Sequence, residues 1–269
     1  MADNLPGGKN VKVEIEEGIA WVTLNRPEKR NCMSPALNDE MVEVLDALEI
    51  DDRCGVLVLT GAGDSFSAGM DLREFFRATD GMPFNKQMRV RRSAANWQWR
   101  QLMNFPKPTI AMVNGPAIGA GVALALNCDF RVCSDAAFFN SGYANMALSG
   151  DIGISYLLCT VVGPARAREL MLFPRRIDPE EALAIGLVTR VVPHARLLEE
   201  TMDMARELAT GPTLTFGHIK ENIAAALDLD PRTAFDIEAR NFIRCFQTED
   251  HKEAVTAFKE KRPPVFKGR

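Results

Sequence analysis

The sequence predicts one α/β domain with an appended helical segment, and three observations lead there. Short, wholly apolar runs at residues 56–59 (VLVL) and 109–113 (TIAMV) read as strands covered on both faces. Segments with helical spacing lie between such runs, as in an α/β domain. Beyond Pro212 the pattern is helix only. A chain of 269 residues is long for one ordinary domain and short for two, which fits an α/β body with an extension. The composition shift near residues 205–215 is the only boundary on offer, and it divides the chain into 1–205 and 206–269.

The elements follow in order. Residues 1–10 are polar and Gly-rich and are expected to be loose. Residues 11–15 alternate apolar with charged, the mark of a half-buried strand. Glu16, Glu17 and Gly18 turn the chain into a second strand at 19–24, so the pair reads as a hairpin. Asn25, Arg26 and Pro27 end it, because proline cannot donate to the ladder. Ser34 then caps a helix with Pro35 at its first position, and Leu37, Met41, Val44, Leu45 and Leu48 recur at helical spacing. Residues 56–59, 109–113, 130–133 and 187–192 are the remaining strands. Residues 119–128, small and apolar throughout, form a buried helix. Further helices are expected at 153–162, 164–173, 179–185 with Asp178 as cap, and 195–210. Pro231 interrupts the C-terminal helical region, and 258–269 is a basic tail.

Composition excludes several classes. The chain is 46% hydrophobic and 25% charged, ordinary for a soluble globular protein with a sizeable core. Lys and Arg number 32 against 36 Asp and Glu, a net charge of -4; nucleic-acid binding needs a basic face, so no nucleic-acid partner is expected. No apolar run approaches the roughly 20 residues of a membrane span, and MADNLPGGKN has no apolar stretch for a secretory signal. No membrane partner and a cytoplasmic location follow as expectations. Cys32, Cys54, Cys128, Cys133, Cys159 and Cys245 are scattered, with no CxxC pair; they read as free thiols rather than a disulfide framework or zinc site, and no metal is expected.

The familiar catalytic signatures are missing. There is no GxxxxGK[ST] phosphate loop, no GxGxxG after a strand and no HExxH, and His194, His218 and His251 all fall in the last third. Two loops stand out instead. Residues 65–72 (SFSAGMDL) follow the strand at 56–59 by a Gly-rich turn, and residues 114–121 (NGPAIGAG) follow the strand at 109–113 and open the small-residue helix. Small residues before a helix leave backbone N–H groups free to meet an anion. If the loops converge, each offers one N–H to a single oxygen, which is an oxyanion hole. If they do not, they are tight, closely packed turns.

With Asn25-Arg26-Pro27 and Arg30-Asn31, then FSAGMDL (66–72), AMVNGPAIGAG (111–121), Cys128-Asp129 and the run from Phe258 to Pro264, the chain resembles the crotonase, or enoyl-CoA hydratase/isomerase, superfamily. The likeness runs from about residue 11 to the C-terminus, and the first 115 residues resemble the hydroxycinnamoyl-CoA hydratase-lyase branch. It implies a crotonase-type spiral of ββα units with a C-terminal helical oligomerisation region, assembled as a homotrimer or hexamer. It implies an acyl-CoA substrate and no cofactor beyond the coenzyme A of that substrate. The backbone N–H groups of Met70 and Ala120 match the oxyanion donors. Arg30 and Arg73 match positions that approach CoA phosphates, and Ala68, Asp71 and Leu72 belong to the same CoA-binding segment, although Asp71 also reads as a helix-start residue.

The catalytic carboxylates depart from that pattern. Where hydratases of the family carry two Glu, this chain has Ala123 and Tyr143. Asp151, in LSGDIG (148–153), is similar to the working Asp of several family isomerases and of 4-chlorobenzoyl-CoA dehalogenases. On its own residues, Asp151 could equally cap the helix that follows. Asp129 and Asp135 read as turn residues. Tyr143 matches a position beside the substrate, where a phenol donates to an acyl oxygen, stacks on an aromatic acyl group, or is an apolar wall. Dehalogenation would need a His at the position of Asn96, and no His occurs before residue 194. Trp97 and Trp99 point about 200° apart on a helix, one to the core and one to a pocket or interface. Arg89 to Arg92 form a solvated face or attract the polyanionic CoA. The expected function is enolate-based isomerisation or hydration of an unsaturated acyl-CoA, with Asp151 moving the proton. The alternatives are an aromatic acyl-CoA hydratase-lyase, hydrolase or dehalogenase of the same fold, or a non-catalytic acyl-CoA-binding protein.

Overall fold

The computed structural model describes residues 5–269, the side chains of residues 93–95 and 99 excepted. The expectations for residues 1–4 and for Trp99 therefore lie outside the described residues. β1 (Val11–Glu16) and β2 (Ile19–Leu24) form the expected antiparallel hairpin, Val11 opposite Leu24 and Glu16 opposite Ile19. Asn10 is not loose: the Glu40 carboxylate accepts the Asn10 and Val11 N–H groups at 2.9 and 2.8 Å. α1 (Pro35–Ile50) carries Glu40; Ser34 Oγ caps it by accepting the Leu37 N–H, and Leu37, Met41, Val44, Leu45 and Leu48 are its buried face.

β3 (Val56–Gly61) is buried along its whole length, and its side chains alternate between two cores. Leu57 and Leu59 join the main core beneath α1, while Val56 and Val58 join a second one. α2 (Leu72–Thr79) and α3 (Phe84–Trp97) follow, and α3 runs on into a π-helical turn at Gln98–Leu102. Then come β4 (Thr109–Val113), the short β5 (Ala117–Ile118), α4 (Ala120–Leu126), β6 (Phe130–Ser134) and β7 (Phe139–Asn140). α5 (Ile154–Leu172) joins the two helices expected at 153–162 and 164–173, with a kink where Gly163 takes φ 79° before Pro164. α6 (Pro179–Ala184) is capped by Asp178, as its sequence indicates. β8 (Arg190–Val192) is shorter than the expected 187–192, because the Leu187 and Val188 N–H groups bond to the Ala182 carbonyl and close α6 instead. α7 (Leu197–Ala209) completes the body.

The main sheet has six strands in the order β1-β2-β3-β4-β6-β8, parallel from β2 onward; β5 and β7 pair in a separate parallel ribbon. α7 covers the second core, where Leu197 and Ala205 meet Val56, Val58, Ile110 and Val132. Beyond it lie α8 (Thr213–Asp228), α9 (Pro231–Phe246) and α10 (Glu249–Glu260). α10 extends into the segment expected as a tail and stops at Lys261, which takes φ 56°. Asp129 anchors α8 to the sheet: it accepts the Thr109 N–H at 2.7 Å and pairs with Lys220 at 2.7 Å. No helix among the described residues is long and apolar enough to cross a membrane.

Candidate active site

The parallel strands deliver the two glycine-rich loops to the same place. They are sewn together by main-chain bonds: Ser67 N–H donates to the Pro116 carbonyl at 3.2 Å, and Ile118 N–H donates to the Ser67 carbonyl at 2.9 Å. A third segment locks the first loop from its other side. Met33 N–H donates to the Gly69 carbonyl at 2.7 Å, and Asp71 N–H donates to the Met33 carbonyl at 2.9 Å. Asn31 takes φ 55°; its amide nitrogen donates to the Ala62 and Ser65 carbonyls, and its amide oxygen accepts the Arg26 N–H. The Arg26 guanidinium spans the Cys32 carbonyl, Asp71 and Glu74. The motif residues around Arg26 and Asn31 are thus the scaffold of the loop that carries Met70.

Close packing demands the glycines. Gly69 has φ 89°, and a Cβ there would lie 2.7 Å from the Ile118 carbonyl oxygen and 3.1 Å from the Ala120 nitrogen. The two donor loops therefore touch. A Cβ on Gly121 would collide with the Ser67 carbonyl, a backbone atom that cannot swing away. Gly121→Ala is expected to lower stability by about 1–3 kcal/mol. Denaturant unfolding checks this; an unchanged midpoint would contradict the close approach.

Neither the Met70 nor the Ala120 N–H forms a hydrogen bond among the described residues. Both residues line a pocket of about 110 Å³ together with Ala68, Leu72, Ile118, Tyr143, Leu148 and Asp151. Tyr143 is 7% exposed, and its hydroxyl has no hydrogen-bond partner. Burial pushes that phenol well above its usual range, partly opposed by the Arg91 charge, so it is a neutral donor. Ala123 is fully buried on α4.

Asp151 is not the cap of α5. Gly153 holds that position at φ 78°, while Asp151 Oδ1 accepts the Ile152 N–H at 2.8 Å and its other oxygen forms an ion pair with Arg91. Ile152 has φ 44°, a left-handed conformation that strains a β-branched residue. Arg91 also donates to Met70 Sδ at 2.8 Å and stacks on the Phe75 ring at 4.8 Å. Reading the cluster 89–92 as surface charge or a CoA attractor missed this. The available signal was spacing: Arg91 and Gln98 are two helical turns apart and share a face. Gln98 is buried, and its Oε1 has no partner. Trp97 is core and donates from Nε1 to Asn38 at 3.1 Å.

The CoA-matched residues divide. Ala68 and Leu72 line the pocket. Arg30 and Arg73 are exposed. Asp71 caps α2 by accepting the Glu74 N–H and pairs with Arg26; burial works against its charge, but these two partners hold its carboxyl below the usual range. Asn96 is exposed. A larger cavity of about 650 Å³ lies between α5 and α8, but none of the unpartnered buried polar atoms lines it. Among the described residues no group of three His, Cys, Asp or Glu is placed to hold a metal. Burial pushes the Cys54 thiol up to about 11 and the Cys128 thiol up to about 12, so neither offers a thiolate nucleophile.

Residues 14–269 match the family model described as enoyl-CoA hydratase/isomerase. The chain belongs to the enoyl-CoA hydratase/isomerase family, the crotonase superfamily. Among relatives, a hydroxycinnamoyl-CoA hydratase-lyase of Pseudomonas fluorescens is 46% identical over 200 residues, 74% of this chain and 72% of that one. A 1,2-epoxyphenylacetyl-CoA isomerase of Escherichia coli K12 is 37% identical over 256 residues, 95% of this chain and 97% of that one. The crystal structure of an enoyl-CoA hydratase from Bacillus anthracis superposes with a TM-score of 0.89 at 31% identity, covering 97% of this chain and all of that one. The mixed α/β body with C-terminal helices is thus the crotonase fold, and this family member acts on acyl-CoA.

Proposed function

We propose that this chain is an enoyl-CoA isomerase-type enzyme that binds a thioester carbonyl between the Met70 and Ala120 N–H groups and moves a proton through Asp151. The observation that carries this reading is the pairing of two unengaged backbone donors with a single carboxylate on one small pocket. A proton beside a thioester leaves only if the resulting enolate oxygen is stabilised, and each well-aimed donor contributes about 3–4 kcal/mol. With a 3-enoyl-CoA, Asp151 takes a proton from C2 and the electron pair spreads onto the thioester oxygen. The same carboxyl group then returns the proton to C4, leaving the double bond between C2 and C3. One carboxylate is enough for this transfer. The two-Glu hydration of relatives is not available with Ala123 and Tyr143 at those positions. Ala68 and Leu72, with Arg30, Asp71 and Arg73, are assigned to the CoA-binding side.

The 46% identity to a hydroxycinnamoyl-CoA hydratase-lyase, together with the unpartnered Tyr143 hydroxyl, favours an aromatic acyl-CoA as the second reading. The test is to mix pure protein with a 3-enoyl-CoA, crotonyl-CoA, 4-hydroxycinnamoyl-CoA and 4-chlorobenzoyl-CoA and follow thioester absorbance. Conversion of the 3-enoyl-CoA is expected. Turnover of 4-hydroxycinnamoyl-CoA alone would replace isomerase by lyase, and binding without turnover would make the chain an acyl-CoA-binding protein.

We also infer that residues 206–269 form an oligomerisation region outside the core of residues 1–205. Phe235, Phe242, Phe246 and Phe258 on α9 and α10 are all more than half exposed, an apolar surface suited to neighbouring subunits. A light-scattering mass three or six times 29.7 kDa is expected; a monomer at micromolar concentration would contradict it. We also infer a reducing, cytoplasmic setting from the scattered cysteines, none of them in a CxxC pair.

A further inference from the structure

α1 and α3 run the same way and overlap only in part. Trp97 Nε1 donates to Asn38 at 3.1 Å, and further along Gln101 Nε2 donates to Asp46. Lys107 Nζ, further still, donates to the Leu48 and Asp51 carbonyls at 2.8 Å. Rising numbers on one side thus follow rising numbers on the other. The first part of α3 therefore projects beyond the start of α1, and the two helices make one line with its middle near Trp97 and Asn38. At 1.5 Å per residue, Phe84 lies about 20 Å from Trp97 on one arm, and Ile50 about 18 Å from Asn38 on the other.

The two arms carry opposite charge. Lys86, Arg89 and Arg92 are exposed on the α3 arm, and Asp39, Glu43, Asp46 and Glu49 are exposed on the α1 arm. Each set recurs every three or four residues, so each forms a stripe along its helix. None of the seven forms an ion pair among the described residues. Exposed arginines elsewhere do find carboxylates: Arg206 pairs with Glu17 at 2.7 Å and Arg262 with Glu253 at 2.6 Å. Each arm also ends on a large apolar side chain, Phe84 at 78% exposure and Ile50 at 82%.

A face with two arms of equal length and opposite charge is complementary to itself. A two-fold axis at its middle lays each arm on the opposite arm of a second copy, which is the geometry of an isologous contact. The three cations then meet the acidic stripe, and Phe84 meets Ile50. We propose that this α1–α3 face is the contact surface for a second copy of this chain, separate from the aromatic surface of α9 and α10. The contact bears on the site. A chamber of about 270 Å³ lies at the middle of the line, and exposed Asp39 and Ala78 belong to its wall together with Val42, Phe75, Val90 and Met70. The second copy covers the mouth of a chamber that reaches the Met70 loop.

Light scattering from the whole protein at micromolar concentration tests the contact. The screening length falls from about 30 Å at 0.01 M salt to about 3 Å at 1 M. The wild-type mass halves between these conditions: from six chains to three if the C-terminal region trimerises, from two to one if it does not. The double variants Lys86→Glu with Arg89→Glu, and Glu43→Lys with Glu49→Lys, each show the halved mass at low salt, because like charges then face each other. Mixed in equal amounts at low salt, the two variants recover the full mass, since an acidic face now meets a basic one. Circular dichroism checks folding, and the single changes Arg89→Glu and Glu43→Lys replace a double variant that does not fold. A wild-type mass independent of salt overturns the proposal. So does a folded charge variant that keeps the wild-type mass, and so does a mixture that stays at the halved mass. None of these outcomes bears on the acyl-CoA reading, which stands or falls on the thioester panel.

Discussion

Replacing Ala120 by proline should cut turnover by about 10²–10³ while the protein stays folded. Ala120 is the first residue of α4, a position where proline is tolerated because its N–H has no partner within the helix. The residue before it is Gly119, which has no Cβ to clash with the proline ring, so the usual restriction on that position is relaxed. The change removes one main-chain donor from the pocket and leaves the ladder between Ser67, Pro116 and Ile118 intact. Turnover of whichever thioester the wild type converts, measured beside circular dichroism and a melting curve, decides the matter. Wild-type turnover in a folded Ala120→Pro protein would remove Ala120 from the oxyanion site.

Asp151→Asn should lower kcat by about 10² or more, with affinity for a short acyl-CoA held within a few-fold. The structure makes this a clean substitution, because the helix-capping alternative is gone: Gly153, not Asp151, sits at the start of α5. Asparagine keeps the volume and can still accept the Ile152 N–H through its amide oxygen. It loses the charge that pairs with Arg91 and the ability to take a proton. A kcat equal to wild type would turn attention to the Tyr143 phenol or to a water near it as the proton carrier.

Much of the fold is legible because it is local. Ser34 and Asp178 announce their helices by capping chemistry, and the five buried positions of α1 follow from spacing alone. The wholly apolar run in β3 reads as covered on both faces because alternate residues enter two cores. The short ends are harder. Leu187 and Val188 look like strand, but their N–H groups are claimed by the end of α6, a competition that no window of β-forming residues reveals. The site divides the same way. The glycine-rich loops are legible because tight approach restricts residue type. The Arg91–Asp151 pair is not, since it joins a helix to a turn across 60 positions and neither residue is of a type unusual for a surface.

The proposed anion cradle is made of main chain, and that has a consequence for how such a protein changes over generations. Ordinary point mutations replace side chains and leave the Met70 and Ala120 N–H groups in place; only a proline or a shift in loop length deletes them. The scaffold that fixes them, through Asn31, Arg26 and the paired loops, is separate from the residues that face the acyl group. Positions 123, 143 and 151 can therefore drift while activation of the thioester is inherited intact. A lineage built this way can try new proton carriers without first passing through an ancestor that has lost its grip on the substrate.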